Sequence, residues 1–283
     1  MTQITPFGTC MNTSTLRGQG LALVEMIDLV GETGYDGIEP WVRELDAYTA
    51  QGGSLTELRQ RISDAGLTVP NLIGFFEWAV DDPVQREAGL AEAARAMALC
   101  IAVGCPRLAT PPSGITETEV PLPVLAERYR VVLELGARMG VVPVVEFWGM
   151  SRTLSRLGDA VYVAMESGHR DACVLVDVFH MYKSGSPHDG LRLAGPQTVA
   201  LVHVNDYPAV PVREQITDAD RVYPGDGIAP LDQILRDLAS IGYRGMLSLE
   251  LFNASYWRQE ARTVAETGLA KIRRAVERAG GAK

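Results

Sequence analysis

The sequence predicts a single-domain (β/α)8 barrel, and three observations lead to that fold. Six segments end in glycine where a helix would need a left-handed C-terminal cap, for example GETG at 31–34 and ARMG at 137–140. Each is followed by a short apolar run with β-branched residues, which is typical of a strand. Strands that alternate with helices at intervals of roughly 30 residues indicate a parallel sheet. The 283 residues, 47% of them hydrophobic, suffice for one such barrel over residues 1–283.

Eight strands and eight helices can be placed in alternation along the chain. The predicted strands are residues 4–10, 37–41, 68–76, 106–112, 141–148, 173–179, 200–206 and 245–252. The predicted helices are residues 21–33, 54–65, 83–103, 121–139, 154–167, 189–199, 230–241 and 259–279. The alternative, an open doubly wound sheet, usually carries a GxGxxG fingerprint after its first strand. Here that position reads CMNTSTLRGQG, which lacks the fingerprint.

The charge balance argues against a phosphate-rich partner. The chain has 35 acidic and 26 basic residues, so its surface as a whole does not attract nucleic acid or anionic membranes. The N-terminal MTQITPFGTC lacks a basic segment followed by an apolar one, and no apolar run approaches the roughly 18 residues that span a bilayer. The four cysteines form no CxxC pair and are expected to be small buried hydrophobic residues. We expect a cytoplasmic protein with a small-molecule partner, and the sequence leaves homo-oligomerisation open.

Ionisable side chains stand at equivalent places at the ends of the predicted strands. They are Glu39 on the second strand, Glu146 on the fifth, Asp177 on the sixth, His203 on the seventh and Glu250 on the eighth. The C-terminal ends of barrel strands form the active-site face, so these groups are expected to converge there. Each one alone could be an ordinary hydrogen-bonded residue at a strand end. The repeated position favours a shared site.

This strand-end cluster has the composition of a divalent metal site. The carboxylates of Glu146, Asp177 and Glu250 and the imidazole of His203 would be costly to desolvate together, and the three carboxylates would repel one another, unless a cation lay among them. A ligand set of oxygens with one imidazole and no thiolate suits Mn²⁺, Mg²⁺ or Co²⁺ and leaves Zn²⁺ open.

The strand ends resemble those of the xylose isomerase-like barrels, which include ketose 3-epimerases, hydroxypyruvate isomerases, inosose dehydratases and apurinic-site endonucleases. The residues that carry the resemblance are Glu146, the DxxH pair Asp177 and His180, His203, and Glu250. The resemblance extends over nearly the whole chain, from GYDGIE to LELF. Its motifs are specific for the superfamily and do not select the reaction.

The resemblance implies a role for each of these side chains. The metal ligands would be Glu146, Asp177, His203 and Glu250. Glu146 and Glu250 would also be the catalytic acid and base. His180 would lie beside the metal and bind a substrate oxygen.

Further substrate contacts are expected around the mouth of the barrel. Glu39 and one arginine would orient hydroxyl groups. The run DRVYPGDG at 220–227 resembles the family's arginine and PGxG turn, so Arg213 and Arg221 are both candidates for that arginine. Many aromatic residues, Trp148 among them, follow strand ends, where their rings could pack on a sugar or cap the barrel core.

Two features bear on the substrate class. The endonucleases continue from HxND to an Asp-Arg-His group that holds further zinc, whereas residues 220–222 here read Asp-Arg-Val. This difference and the acidic balance disfavour a nuclease. The PGDG turn at 224–227 could present N–H groups to a phosphate, but Asp226 lies within it, which favours an unphosphorylated substrate.

The expected chemistry is proton transfer next to a carbonyl group. A divalent cation that chelates a ketose carbonyl and its neighbouring hydroxyl makes the adjacent C–H bond more acidic. Glu146 and Glu250 could each reach one face of that carbon, which allows epimerisation, isomerisation or elimination of a β leaving group. We predict a metal-dependent sugar isomerase or epimerase. A dehydratase or keto-glycoside lyase, and a non-catalytic sugar-binding barrel, are the alternatives.

Overall fold

The computed structural model describes residues 7–281, which fold as a TIM barrel in a single domain. In this part of the chain, seven parallel strands form one curled sheet: β1 (Gly8–Asn12), β2 (Gly37–Glu39), β3 (Arg107–Thr110), β4 (Val142–Glu146), β5 (Val174–Asp177), β6 (Val199–Val204) and β7 (Met246–Leu249). Their spatial order is β2-β1-β7-β6-β5-β4-β3. The first predicted strand spans residues 4–10, whereas β1 spans Gly8–Asn12. Residues 4–6 lie outside the described residues, as does most of the N-terminal segment considered above.

The predicted third strand is an extended segment rather than a regular strand. Each contact is a single parallel bridge: Thr68 pairs with β2, Leu72 pairs with β3, and Ile73 pairs with Trp41, which lies just after β2. Pro70 has no N–H group to donate, so a continuous ladder cannot form through it. The segment therefore joins the two edges of the sheet and closes the barrel without adding an eighth regular strand.

Helices surround the sheet on its outer side. The α-helices of the described chain are α1 (Leu23–Thr33), α2 (Val42–Ala50), α3 (Leu55–Asp64), α4 (Pro83–Val103), α5 (Leu122–Met139), α6 (Leu157–Glu166), α7 (Val178–Ser184), α8 (Leu231–Ser240), α9 (Ala254–Trp257) and α10 (Ala261–Gly281). Short 3₁₀ helices lie at Thr13–Gln19, His188–Leu193 and Asp218–Asp220. The helix predicted at 189–199 is thus a 3₁₀ helix, and α2, α7 and α9 are additional short helices.

The best-predicted helix, α4, has strong sequence signals at both ends. The Asp82 carboxylate accepts hydrogen bonds from the backbone N–H groups of Val84 and Gln85, and Pro83 occupies the first turn, where no intrahelical donor is needed. Gly104 ends the helix with φ of +74°. These signals fix both boundaries of the helix at the residues that the sequence predicts.

The two faces of the sheet contribute to different cores. Val145, Val176 and Val202 belong to the large cluster that includes the helices. The residues that alternate with them form a separate small cluster inside the barrel: Trp41, Ile73, Ala109, Val144, Cys173, Leu175 and Leu201. All four cysteines are buried and free, as the sequence predicts. Within residues 7–281, no helix combines the length and apolar character needed to cross a bilayer.

Candidate active site

Strand register brings the predicted ligands together at the C-terminal edge of the sheet. Asp177 at the end of β5 lies directly opposite His203 in β6, and His203 lies opposite Ser248 in β7. Glu250 follows Ser248 by two residues and therefore shares its face. Potential ligand atoms of Asp177, His203 and Glu250 all lie within 4.8 Å of one another.

Asp177 ends a strand and begins a helix at the same position. Its Oδ1 accepts a hydrogen bond of 2.9 Å from the His180 backbone N–H and so caps the N-terminus of α7. Its Oδ2 points to the guanidinium of Arg221 at 2.7 Å. Burial alone would raise the pKa of Asp177, but Arg221, followed by His180, holds it well below its usual range.

His203 has different neighbours at its two ring nitrogens. Nε2 lies 3.1 Å from both carboxylate oxygens of Glu39. Nδ1 lies 3.1 Å from Glu250 Oε2 and 3.5 Å from Asp177 Oδ2, but it makes an aligned hydrogen bond to neither. Burial lowers the pKa of His203, but the carboxylates, Glu250 and Glu39 foremost, hold it well above its usual value.

Glu39 lies beneath His203 and does not line the cavity. In addition to His203, its carboxylate oxygens accept hydrogen bonds from Asn12 (2.9 Å), Asn71 (2.8 Å) and Ser248 (2.6 Å). Its side chain is fully buried. Its position fits the orientation of the His203 ring and differs from the expected contact with substrate hydroxyl groups.

The structure distinguishes the two candidate arginines. Arg221 is 1% exposed, and its Nη1 donates to Asp177 Oδ2 at 2.7 Å and Glu250 Oε2 at 2.8 Å. Nη2 donates to Asp218 at 2.5 Å and lies 3.3 Å from His180 Nε2. Arg213, by contrast, is 48% exposed, pairs with Glu214, and is absent from the cavity lining.

A cavity of about 440 Å³ opens above this cluster. Its lining includes five of the residues expected at the site, namely Glu146, Trp148, His180, Arg221 and Glu250. Asp177, His203 and Glu39 lie below the lining and support it. The structure therefore brings together every predicted site residue except Arg213, in two layers.

Glu146 is set apart from the other carboxylates. It is the last residue of β4 and pairs with Leu175, and Leu175 precedes Asp177 by two residues in β5. None of the described residues donates a hydrogen bond to the Glu146 carboxylate. Burial, with smaller contributions from Glu250 and Asp177 and against the opposing effect of His203, raises its pKa to about 8. Glu146 is thus the carboxylate that carries a proton near neutral pH in the metal-free chain.

His180 faces the cavity from the first turn of α7. Burial lowers its pKa, so the imidazole is neutral near pH 7. Its Nδ1 is buried without a hydrogen-bond partner. His180 therefore contributes a neutral imidazole to the cavity lining, with one ring nitrogen that makes no hydrogen bond to the described residues.

The PGDG turn at 224–227 is occupied by a protein carboxylate. Asp206 accepts hydrogen bonds from the N–H groups of Gly225 (2.9 Å) and Ala229 (2.8 Å), as well as from its neighbour Tyr207 (2.8 Å). A side chain at Gly227 would collide with Asp206 and with the backbone of Tyr207. Because Asp206 takes up these donors, they are not free to bind a phosphate.

Sequence reasoning missed Asp218 and the residues that hold Glu39. Asp218 lines the cavity and accepts hydrogen bonds from Arg221 three residues later. The spacing of three residues between Asp218 and Arg221 could have predicted this ion pair from the sequence. Asn12 is also a polar residue at the end of a strand, and its Nδ2 bridges Glu39 at 2.9 Å and Glu250 at 3.3 Å.

The buried cluster fits a divalent cation. His203 Nδ1 is a buried atom without a hydrogen bond, and it faces two carboxylates rather than a donor or a backbone carbonyl. The hydrogen bond of Nε2 to Glu39 leaves Nδ1 as the nitrogen that can coordinate once its proton has left. Asp177, His203 and Glu250 could thus hold a metal ion at the floor of the cavity.

Comparison with known proteins identifies enzymes among the relatives. An inosose isomerase from Halalkalibacterium halodurans is 28% identical over 270 residues, which cover 91% of this chain and 92% of that protein. A 3-dehydroshikimate dehydratase from Pseudomonas putida is 24% identical and covers 88% of this chain but only 39% of the dehydratase. Among solved structures, the IolI protein with a bound zinc atom has a TM-score of 0.90 and 22% identity, with 98% of this chain and 100% of that chain covered.

The family comparison agrees with the architecture. The model of the xylose isomerase-like TIM barrel matches residues 27–275, which include most of α1 and every strand after β1. This chain therefore belongs to the xylose isomerase-like TIM barrel family.

Proposed function

We propose that the chain is a divalent-metal-dependent isomerase or epimerase that acts on a keto-sugar or keto-cyclitol by proton transfer. The observation that carries this proposal is the placement of Glu146 and Glu250 on one cavity, with Asp177 and His203 beneath its lining. The relative named inosose isomerase, aligned over nine-tenths of both chains, supports the reaction class.

The two glutamates are suited to opposite roles. Glu250 accepts hydrogen bonds from Arg221 (2.8 Å) and Asn12 (3.3 Å), which fix its position beside the cavity, where it would take up the proton of the substrate. Glu146, with a pKa of about 8, holds a proton that it can deliver. They come from β4 and from the end of β7, which β5 and β6 separate, so they reach the substrate from different sides.

A bound divalent ion would polarise the substrate carbonyl and stabilise the negative charge left by proton removal. Asp177, His203 and Glu250 would hold it, and Glu146, the fourth expected ligand, could join them only after losing its proton. The oxygen-rich set suits Mn²⁺, Mg²⁺ or Co²⁺, and Zn²⁺ remains compatible with it. His180 and Arg221 would orient hydroxyl groups beside the reacting carbon.

Deuterium exchange tests the proposal directly. A panel of ketoses and a keto-inositol would be incubated with the enzyme and Mn²⁺ in D₂O and followed by NMR. We expect deuterium at the carbon next to the carbonyl, loss of exchange in Glu250→Gln with the fold retained, and full exchange in the surface variant Glu87→Gln. Unchanged exchange in Glu250→Gln would contradict the mechanism.

A second candidate is dehydration, which the 3-dehydroshikimate dehydratase relative favours. The proton on Glu146 could be transferred to a leaving hydroxyl group β to the deprotonated carbon. The product would then be a conjugated enone that absorbs in the ultraviolet. The ultraviolet absorbance of the same samples distinguishes the two reactions, because epimerisation and isomerisation generate no such chromophore.

A further inference from the structure

The cavity is polar at one end and apolar at the other. Glu146, His180, Asp218, Arg221 and Glu250 lie around the floor. The remaining side chains of the lining are apolar or aromatic, and the largest of them are Trp41, Phe75, Trp148, Met150, Phe252 and Trp257. A free sugar on the floor could pack its C–H face on one of these rings, but a single sugar ring is too small to cover the whole apolar end.

Four of the aromatic rings form a continuous wall. The ring centroids of Trp148 and Phe75 are 5.5 Å apart, those of Phe75 and Trp41 are 5.3 Å apart, and those of Trp41 and Phe252 are 6.2 Å apart. All three pairs meet edge to face, with interplanar angles between 85° and 88°. A further aromatic ring can continue such an array through the same edge-to-face contacts.

The outer part of this wall is left exposed to solvent. Phe75 is 50% exposed and Met150 is 43% exposed, although both line the cavity. Large apolar side chains at the rim of a cavity gain free energy when a ligand covers them. The exposed area is therefore available to an apolar group that projects from the floor toward the mouth.

The lining offers no free positive charge. Among the described residues that line the cavity, Arg221 is the one lysine or arginine. Its guanidinium already donates to Asp177, Asp218 and Glu250. The Arg17 guanidinium packs against the Trp41 ring, 4.4 Å from its centroid, and lies outside the lining. An anionic substituent within the lining would meet carboxylates and an arginine that is already paired, so the ligand that fits is uncharged.

The size of the cavity leaves room beyond a sugar ring. A cavity of roughly 150 Å³ accommodates one benzene molecule. The cavity here, about 440 Å³, can hold a six-membered polyol ring on the floor and a second ring above it.

We propose that the substrate is an uncharged keto-sugar that bears an aryl substituent. This inference rests on the proposed function, because the keto group must lie above the proposed metal ligands Asp177, His203 and Glu250. The polyol ring contacts His180 and Arg221, and the aryl ring packs against Phe75 and Trp148 at the mouth.

Tryptophan fluorescence can report binding. Trp41, Trp148 and Trp257 line the cavity, and the fourth tryptophan, Trp78, is fully buried, donating to the Pro111 carbonyl. Phenyl and methyl β-D-glucopyranoside, which differ only in the substituent, would be titrated into the Mn²⁺-loaded protein. Burial of a phenyl ring should make the phenyl glucoside bind at least about tenfold more tightly. Phenyl β-D-glucuronide, which adds a carboxylate, should bind at least about tenfold more weakly than the phenyl glucoside.

Two variants assign the effect to the wall. Phe75→Ala should weaken phenyl glucoside binding by about tenfold and change methyl glucoside binding by less than about twofold. Ile101→Ala, at an exposed position of α4 outside the cavity lining, should change neither. Thermal unfolding of each variant shows that the fold is retained, as expected for half-exposed side chains.

Three results would overturn the inference. They are equal affinity of the wild-type protein for the two glucosides, no binding of the phenyl glucoside at millimolar concentration, and tighter binding of the glucuronide. A different result would contradict the proposed function: no deuterium exchange on unsubstituted keto-inositols and ketoses. That exchange needs only the polar floor of the cavity and not the aromatic wall.

Discussion

The Nε2 atom of His203 lies 3.1 Å from both carboxylate oxygens of Glu39, and neither side chain is exposed. Their contact fixes which ring nitrogen faces the cavity. Because Nε2 donates to Glu39, Nδ1 is the atom directed at Asp177 and Glu250. Glu39 thus orients a ligand from outside the ligand set, a role that carboxylates beside metal-bound histidines commonly have.

Glu39→Gln should weaken divalent metal binding by about 10- to 100-fold. The substitution removes one negative charge. It also places the N–H₂ group of the new amide against donors that point at the Glu39 carboxylate in the wild-type protein, such as Asn71 Nδ2. Calorimetric titration of Mn²⁺ into the metal-free protein measures the change. Glu87→Gln, on the exposed face of α4, serves as the control and should keep the wild-type affinity. An unchanged dissociation constant in Glu39→Gln would rule out this role.

Arg221→Met should destabilise the metal-free protein by about 3–5 kcal/mol, because Asp177 and Glu250 would remain buried without their cation. Mn²⁺ should restore part of that loss, since it would neutralise the same two carboxylates. Urea unfolding with and without Mn²⁺ tests both expectations. Arg213→Met should change the unfolding free energy by less than about 0.5 kcal/mol. Equal effects of the two substitutions would contradict the assignment of Arg221 to the site.

Glu146 should make the stability of the metal-free protein depend on pH. Its pKa is about 8 in the folded chain, against an ordinary value of 4.5. Between these values the native state keeps the proton that the unfolded chain releases, so the free energy of unfolding falls as the pH rises. The contribution is fully present below pH 4.5 and is lost as the pH passes through about 8.

The measurement compares the wild-type protein with Glu146→Gln in chelator. The difference in unfolding free energy between the two should decrease from about pH 4.5 to about pH 8 and level off above that. Glu87→Gln should not reproduce this dependence. A difference that does not vary with pH would mean that Glu146 is ionised at neutral pH in the folded chain.

Glycine caps and apolar alternation predicted most of the fold because both signals are local. The ends of α4 and the faces of β4 to β6 follow from residues within a few positions of each element. The predicted third strand differed because Pro70 removes one donor from the ladder. The short helix α7 was missed because Asp177 was interpreted only as a strand end, although it also caps the helix.

The site was partly predictable because parallel strands align their C-terminal ends. That rule identified Asp177, His203 and Glu250 without any knowledge of distances. The layer below His203 could not be found in this way. Whether Glu39 faces a substrate or another side chain depends on the barrel's stagger and on Asn12 and Asn71, which are distant in sequence.

Lys183 connects two active-site loops and should position the second of them. It lies on α7, six residues after Asp177, and its Nζ donates to the carbonyl groups of Arg213 (3.2 Å), Glu214 (2.9 Å) and Ile216 (2.8 Å). These three bonds use all the donors of the ammonium group. The segment they hold continues directly into the 3₁₀ helix at Asp218–Asp220 and the buried Arg221.

Lys183→Met should therefore loosen this loop without removing any group from the cavity. The three charged hydrogen bonds are lost together, at a cost of at least about 1.5 kcal/mol, so amide hydrogen exchange across residues 213–217 should speed up by at least about tenfold. We expect KM to rise several-fold while kcat changes little, because Arg221 would spend less time in the geometry that binds the substrate. Lys271→Met removes a surface pair with Asp226 and should leave both quantities unchanged. If exchange in residues 213–217 is the same in Lys183→Met and the wild-type protein, the loop is held by its own backbone contacts instead.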